Sequence, residues 1–258
     1  MNDSPSSELA FSDSGQGPPV VILHGLLGSG RNWTTFARQL SASRRVLTLD
    51  LRNHGRSPWH PKMDYLAMAQ DVIALIENQA LGPVRLMGHS MGGKAAMVVA
   101  LTRSELVERL VVVDIAPVTY DAAYAAPYVA ALAEIDPSEY ANRRAVDETL
   151  AKTVRDQFLR GFLLTNLERS ENGLRWCVNL EAITRHMDDL MGFPALTGRY
   201  EGPSLFVGGM TSDYLADQNR PAVHGHFPSA KIEMVPEAGH WVHVEAPETF
   251  GRIVTEVL

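Results

Sequence analysis

The hydrophobic positions of the chain form six short runs, rich in Val, Leu and Ile, in which polar residues do not alternate with apolar ones. The runs cover residues 20–23, 46–49, 84–87, 110–113, 205–207 and 232–235. Such runs are typical of strands buried on both faces of a parallel sheet. Between them, apolar residues recur at helical spacing, as they do behind Asp64, a predicted N-cap, and again over residues 250–257. Strands that alternate with helices predict an α/β fold with a mostly parallel sheet covered on both faces.

One long interruption of this alternation divides the chain. It begins after Pro117 and ends near Pro203. Helical spacing prevails within it, over residues 154–164 and 180–190 and after an N-cap pattern that begins at Asp136. We therefore predict a core formed by residues 1–117 and 203–258, with residues 118–202 inserted as a helical cap over one end of the sheet.

The aromatic residues of the predicted cap fit two roles. Seven of them are Tyr120, Tyr124, Tyr128, Phe158, Phe162, Trp176 and Phe193. One role is an apolar roof over a substrate, and the other is the small core of the cap itself, because apolar residues at helical spacing are buried by default. Spacing alone leaves both roles open for each residue.

Composition and charge exclude several classes of function. The chain of 258 residues carries 23 basic and 30 acidic residues, a net charge of -7, without a basic stripe that could follow a nucleic-acid backbone. Its apolar runs are far shorter than the roughly 20 residues of a membrane span. The first five residues lack the features of a targeting signal, so we expect a soluble cytoplasmic protein. Cys177 is the single cysteine and has no disulfide partner. The oligomeric state is left open.

The strongest chemical signal is the sequence GHSMG at residues 88–92, which fits the pattern G-x-S-x-G. It follows a predicted strand and precedes a predicted helix, which is the context that this pattern requires. A strand-to-helix turn this tight places Ser90 in a strained conformation above the sheet, and side chains larger than hydrogen would collide at the nearby positions Gly88, Gly92 and Gly93. Ser90 is therefore the candidate nucleophile.

A serine nucleophile needs a base, and His240 is the best placed of the nine histidines. It follows the last predicted strand, and active sites of open parallel sheets lie at the carboxyl ends of the strands. We expect His243 to face solvent or to pack against the last helix. The pair His224 and His226 has no third ligand at a defined spacing, so we predict no metal site.

An oxyanion hole requires two backbone amides aimed at the developing negative charge. Met91, the first residue of the helix after Ser90, supplies one of them. The second is expected from Leu26, in the glycine-rich turn HGLLGS at residues 24–29. His24 is expected to support this turn.

Together, these motifs resemble those of the α/β-hydrolase superfamily, and in particular the small YbfF-type esterases and their mitochondrial relatives. The resemblance spans nearly the whole chain and is carried by HGLLGS at 24–29, DLRNHGRS at 50–57, GHSMGGK at 88–94 and VDIAP at 113–117. It implies an inserted cap and hydrolysis of small to medium carboxylic esters through an acyl-serine intermediate, without a cofactor. The loop at 52–57 is interpreted as structural, and the alternative is that His54 or Arg56 borders the entrance.

Other reactions of the superfamily are alternatives. Dehalogenases and epoxide hydrolases carry an aspartate nucleophile, which Ser90 disfavours. Lactonases, thioesterases, carbon–carbon bond hydrolases and perhydrolases keep the serine, so the sequence does not exclude them. A receptor that binds a small molecule without turnover is a further alternative.

Two residues compete to be the acid of a catalytic triad. In most of the superfamily the acid follows the strand after the cap in the frame G-x-x-D, but here that frame places Ser212 in the acid's position and Asp213 one residue later. Asp114 ends the strand at 110–113, which we expect to lie beside the nucleophile strand. The resemblance to YbfF-type esterases implies Asp114 as the acid, with Ser212 supporting the His–Asp pair. Asp213 is the alternative.

Overall fold

A computed structural model describes residues 8–171 and 173–258. The N-terminal residues on which the expected location rests lie outside this range. The strands are β1 Phe11–Ser14, β2 Pro19–Leu23, β3 Arg45–Leu49, β4 Val84–His89, β5 Val107–Val113, β6 Leu167–Ser170, β7 Gly173–Trp176, β8 Ser204–Gly209 and β9 Ala230–Val235. The α-helices are α1 Thr34–Leu40, α2 Tyr65–Asn78, α3 Met91–Thr102, α4 Ala126–Ala133, α5 Arg143–Leu150, α6 Gln157–Leu163, α7 Leu180–Arg185, α8 Met187–Met191, α9 Arg220–His226, α10 Val242–Glu245 and α11 Pro247–Thr255.

Seven strands form the central sheet in the order β1-β3-β2-β4-β5-β8-β9. All of its neighbouring pairs are parallel except β1 with β3. The six predicted strands are therefore confirmed, and the α/β fold with them. Ser90 follows β4, and Asp114 follows β5. Because these two strands are parallel neighbours, their carboxyl ends lie side by side near the centre of the sheet.

Burial of the strands follows their position in the sheet. The central strands β4, β5 and β8 end in residues that are fully or nearly buried, as their continuous apolar sequences require. For β9, the prediction of burial on both faces is wrong: exposed and half-buried residues alternate along it, because it lies at the edge of the sheet. The other edge strand, β1, was not predicted, since its sequence FSDS contains a single apolar residue.

Helices cover both faces of the sheet. Asp64 is the N-cap of α2, where its carboxylate accepts a hydrogen bond of 2.7 Å from the amide of Ala67, and this prediction is confirmed. Ten of the twelve residues of α3 are buried, because α3 packs between the sheet and α2. On the opposite face, α1 and α11 bury Phe36 and Phe250 against each other, with ring centroids 5.3 Å apart.

The segment 118–202 contains α4 to α8 and differs from its predicted form in three places. Asp136 begins only a short 3-10 turn, Pro137–Glu139, and the following helix α5 is capped by Asn142 instead. The predicted helix at 180–190 is interrupted at His186, which separates α7 from α8. The antiparallel pair β6 and β7 was not predicted.

The loop that follows β3 is fixed to the core by a buried ion pair. The guanidinium of Arg52 donates to both carboxylate oxygens of Asp71 on α2, at 2.6 and 2.8 Å, and both side chains are almost fully buried. A buried pair with this two-point geometry holds its loop in one position. Within the described part of the chain, no helix is long and apolar enough to cross a membrane.

Candidate active site

Ser90 lies in the sharp turn between β4 and α3. Its backbone has φ 52° and ψ -118°, a conformation that residues other than glycine rarely adopt. Its amide donates to the carbonyl of Val113 at 3.0 Å. The turn requires glycine two residues before Ser90 and two residues after it. A Cβ added to Gly88 would lie 2.1 Å from the carbonyl oxygen of Gly92, and one added to Gly92 would lie 2.5 Å from that of His24. This crowding raises Ser90 above the end of the sheet.

His240 lies beyond β9 and joins Ser90 to Asp114. Its Nδ1 is 2.8 Å from Oδ2 of Asp114, and its Nε2 is 3.1 Å from Oγ of Ser90. A carboxylate only accepts, so Nδ1 carries the proton in the neutral ring and Nε2 is left to accept from the serine hydroxyl. The structure therefore brings these three predicted residues into one continuous chain of hydrogen bonds.

Asp114 follows β5 and is fully buried. Besides His240, its carboxylate accepts hydrogen bonds from the amide of Gly209 at 3.0 Å and from the hydroxyl of Ser212 at 2.5 Å. These three donors compensate a charge that would otherwise be costly to bury. Asp213, the alternative acid, has an exposed side chain and makes no hydrogen bond with His240.

The turn that carries Leu26 lies against Ser90: a Cβ added to Gly25 would lie 3.4 Å from the Cβ of Ser90. The carbonyl oxygen of Gly25 accepts from Nδ1 of His24 at 2.7 Å and from the amide of Gly28 at 3.0 Å. In a trans peptide the carbonyl and the following N–H point in opposite directions. These two bonds therefore fix the direction of the Leu26 N–H.

Neither of the two predicted oxyanion amides is already engaged. Within residues 8–171 and 173–258, neither the Leu26 amide nor the Met91 amide donates a hydrogen bond. Met91 is the first residue of α3, where the amide has no partner within the helix and the helix dipole favours negative charge.

His54 braces the same turn from the loop after β3. Leu27, which has φ 59°, donates its amide to Nε2 of His54 at 3.1 Å, and Nδ1 of His54 donates to the carbonyl of Arg52 at 3.0 Å. The carbonyl of Leu27 accepts from the side chain of Asn166 at 2.7 Å. His54 is fully buried and therefore does not border an entrance, whereas Arg56 is exposed and lies 3.5 Å from Asp50.

Both bracing histidines must be neutral. Nε2 of His54 accepts from Leu27, and Nε2 of His24 accepts from the amide of Leu51 at 2.9 Å, so a second ring proton would face an N–H in each case. Burial lowers the pKa of His54 to about 3 and lowers the pKa of His24 below its usual value. The expectation that His24 supports the turn agrees with these contacts, while sequence spacing gave no indication of the contact between His54 and Leu27.

Two further histidines pack behind His240. Nε2 of His89 donates to the backbone carbonyl of His240 at 2.9 Å, and burial holds the pKa of His89 well below its usual value. His243 stacks on Trp33 with ring centroids 4.2 Å apart, and it also packs against Phe250 of α11. Burial lowers the pKa of His243 to about 3, so this ring is neutral as well.

A cavity of about 1070 Å³ lies above Ser90 and His240, between the core and the segment 118–202. Of the seven aromatic residues named above for the predicted cap, five line it, namely Tyr120, Tyr124, Tyr128, Phe158 and Phe162. Phe193 and Trp176 do not. Trp176 is buried within the segment and donates its indole N–H to the carbonyl of Ile135 at 3.0 Å, so it belongs to the segment's own core.

The cavity wall carries few charged groups. Lys94 of α3 lines it and donates to the carbonyls of Met191 and Gly192 at the end of α8, at 2.8 and 2.5 Å. Burial lowers the pKa of Lys94 to about 7. His224 and His226 lie on α9, and no group of three potential metal ligands occurs among the residues described.

Tyr214 is a neighbour of the site for which sequence reasoning gave no role. Its ring stacks on the imidazole of His240, with centroids 4.2 Å apart and an angle of 27° between the ring planes. It lies two residues after Ser212, which occupies the acid's position in the frame of the superfamily, and no local pattern signals a stacking contact.

Comparison with known proteins finds esterases and lipases among the relatives of this chain. The α/β-hydrolase fold family matches residues 18–247. The chain is 42% identical over 253 residues to the sn-1-specific diacylglycerol lipase ABHD11 of Danio rerio, which covers 95% of this chain and 80% of the relative. It is 32% identical over 240 residues to the Esterase YbfF of Escherichia coli (strain K12), covering 93% of this chain and 92% of the relative.

A solved structure described as a marine microorganism esterase superposes with a TM-score of 0.95 at 40% identity, covering 97% of this chain and 99% of the other. The resemblance that the motifs indicated is confirmed by these comparisons.

The neutral histidines predict how stability depends on pH. A pKa of about 3 in the folded chain lies below the usual 6.5, so the unfolded chain binds more protons between these values and stability is lost as the pH falls through them. For His54 the loss between pH 7 and pH 5 is about 2 kcal/mol. Urea unfolding at both pH values measures it.

The matched control is His54→Gln, whose amide oxygen can accept from Leu27 but does not titrate. We expect its loss between pH 7 and pH 5 to be smaller than that of the wild type by about 2 kcal/mol. Equal losses in the two proteins would contradict the neutral state of His54.

Proposed function

We propose that this chain, which belongs to the α/β-hydrolase family and is an ester-hydrolysing enzyme, acts as a serine carboxylesterase through an acyl-serine intermediate on Ser90. The observation that carries the proposal is the chain of hydrogen bonds from Ser90 through His240 to Asp114, at 3.1 and 2.8 Å. A serine is a weak nucleophile at neutral pH, and this arrangement activates it. A receptor without turnover would not need such an arrangement.

In the first half-reaction, Oγ of Ser90 attacks the ester carbonyl while Nε2 of His240 takes its proton. The imidazolium that forms keeps its second proton on Nδ1, where it donates to Asp114. The carboxylate thus stabilises the new positive charge and holds the ring in the productive tautomer. Collapse of the tetrahedral intermediate breaks the ester bond, and His240 returns its proton to the departing alcohol.

The negative charge on the carbonyl oxygen is bound by the amides of Leu26 and Met91. Both are free to donate, and the direction of the Leu26 N–H is fixed before the substrate arrives by the contacts of His24 and Gly28 with Gly25. Donors that are already oriented lower the barrier because they need no reorganisation when the charge develops. Removal of one such donor commonly reduces kcat by about 10²- to 10³-fold.

In the second half-reaction, water replaces the alcohol. His240 removes a proton from the water, which attacks the acyl-serine, and the proton then returns to Ser90 as the acid product leaves. Every step uses side chains or backbone amides of this chain and water.

Residues 118–202 are proposed as a cap that selects the ester. The cavity between them and the core is lined largely by apolar and aromatic side chains and has a volume of about 1070 Å³. This suits small to medium esters with an apolar acyl or alcohol part. The named activity of the Danio rerio relative, a diacylglycerol lipase, is compatible with an apolar acyl site of this kind.

Replacement of the nucleophile tests the proposal directly. We expect Ser90→Ala to lower kcat on a p-nitrophenyl ester by about 10⁴-fold or more, because no other side chain can form the acyl intermediate. Circular dichroism should show an unchanged fold, since Ser90 contributes little packing. A purified, folded variant with a tenth of the wild-type turnover would rule out the proposed mechanism.

The acid is tested by a matched pair of variants. We expect Asp114→Asn to lower kcat by about 10³- to 10⁴-fold, because the orienting and charge-stabilising partner of His240 is lost. Asp213 lies one residue after the position that the acid occupies in most of the superfamily. Asp213→Asn should lower kcat by less than about tenfold. Steady-state kinetics that rank the two variants in the reverse order would assign the acid to Asp213.

Two aromatic residues of the segment 118–202 test its role in substrate choice. Phe162 lines the cavity, so Phe162→Ala should change the relative kcat/KM values for p-nitrophenyl esters of increasing acyl length. Trp176→Phe is the control: it removes a buried hydrogen bond and should lower stability by about 1–3 kcal/mol without a change in chain-length preference. The same preference in Phe162→Ala and the wild type would argue against the cap proposal.

A further inference from the structure

The stacking of Tyr214 on His240 places an electron-rich ring face against the catalytic imidazole. The ring centroids are 4.2 Å apart, and the planes are inclined by 27°. The face of an aromatic ring carries partial negative charge, and it attracts a cation that lies over it. This attraction is absent while His240 is neutral and present when it becomes an imidazolium.

Tyr214 is held in this position from several sides. Its carbonyl accepts from the hydroxyl of Tyr120 at 2.6 Å and from the side chain of Asn219 at 3.2 Å. Its ring contacts those of Tyr120 and Tyr124, at centroid distances of 5.0 and 5.1 Å. The ring is therefore fixed before substrate binds.

The ring face, and not the hydroxyl, makes the contact. Within the parts of the chain that the structure describes, the Tyr214 hydroxyl has no hydrogen-bond partner. Burial raises the pKa of this hydroxyl above its usual value, so the ring is uncharged at neutral pH. Phenylalanine at this position would keep the stacking contact.

The other groups around the imidazole include one carboxylate. Oδ2 of Asp114 lies 2.8 Å from Nδ1, and Oγ of Ser90 lies 3.1 Å from Nε2. His89 and His243 face the ring from β4 and α10, and both are neutral at the pH of catalysis because burial lowers their pKa values. Trp241 contacts the imidazole nearly perpendicularly, at 68°. Among these neighbours, Tyr214 alone lies nearly parallel over the imidazole.

We propose that Tyr214 is a positioning residue that stabilises the imidazolium form of His240 as Ser90 is acylated and deacylated. The proposal rests on the mechanism proposed above, in which this imidazolium accompanies both tetrahedral intermediates. The stacked ring also prevents the imidazole from tilting away from Ser90 and Asp114.

The backbone after β8 explains how both neighbours of Asp213 reach the site. Ser212 donates to Asp114, Tyr214 stacks on His240, and the side chain of Asp213 between them is exposed. Since the acid is contributed by β5, the loop after β8 is not required to supply a carboxylate. It supports the His–Asp pair with a hydroxyl on one partner and a ring on the other.

Two variants separate the ring from the hydroxyl. Tyr214→Phe keeps the ring and should retain kcat on a soluble p-nitrophenyl ester within about twofold. Tyr214→Leu removes the ring and should lower the plateau kcat by about 3- to 30-fold, the range that cation–π contacts give. If the leucine variant does not fold, Tyr214→Met fills a similar volume without a ring and replaces it.

The pH profile of kcat/KM distinguishes this role from a merely structural one. The ring face favours the charged imidazole, so its loss favours the neutral imidazole in the free enzyme. The acid limb of the profile should therefore move to lower pH in Tyr214→Leu, by up to about one unit, although the plateau falls. If Tyr214 only held the imidazole of His240 in place, loss of Tyr214 would lower the plateau and leave the acid limb at the same pH.

Each outcome decides the proposal. A leucine variant with wild-type kcat, or with a lowered kcat and an unmoved acid limb, would overturn it. A phenylalanine variant as impaired as the leucine variant would also overturn it, since the hydroxyl would then be the active group. Failure of the mechanism itself would be seen separately, as activity that persists in Ser90→Ala.

Discussion

The parallel pairing of β4, β5 and β8 continues one residue past the strands, and the candidate active site depends on this continuation. The amide of Ser90 donates to Val113, and the amide of Asp114 donates to Val207, at 3.0 and 2.8 Å. Each residue is thus tied laterally to the neighbouring strand at the point where its own strand ends. Both then leave the sheet with a positive φ, 52° and 50°. The ladder fixes where Ser90 and Asp114 emerge from the sheet.

This ladder also explains why β5 can provide the carboxylate. β5 lies between the nucleophile strand β4 and β8, so Asp114 emerges between Ser90 and the loop after β8. His240 approaches from beyond β9 and meets both residues, while Gly209 of β8 donates its amide to Asp114. A carboxylate in this central position is fully buried, which is tolerable because three donors surround it. This arrangement therefore requires several hydrogen-bond donors around the Asp114 carboxylate.

Features with local causes were predictable from the sequence. Buried strands are continuous apolar runs, Asp64 precedes an amphipathic helix, and Gly88 is required by backbone crowding within the turn at Ser90. Features that depend on non-local packing were not. The contact of His54 with Leu27 joins residues 27 positions apart. Tyr214 and His240 come together from two different loops, the one after β8 and the one after β9. Phe162 and Trp176 look alike in sequence, because spacing does not reveal which face of the segment each one occupies.

The segment 118–202 is also connected to the machinery beneath it. Asn166 holds the carbonyl of Leu27, the residue after the proposed oxyanion donor, and Lys94 on the nucleophile helix holds the carbonyls at the end of α8. These contacts are hydrogen bonds to backbone carbonyls, which keep their geometry only if both partners stay in place. A displacement of α8 or of the turn at Asn166 would therefore be transmitted to the Leu26 turn and to α3. The proposed cap and the turn that carries the proposed oxyanion donor are thus joined by hydrogen bonds.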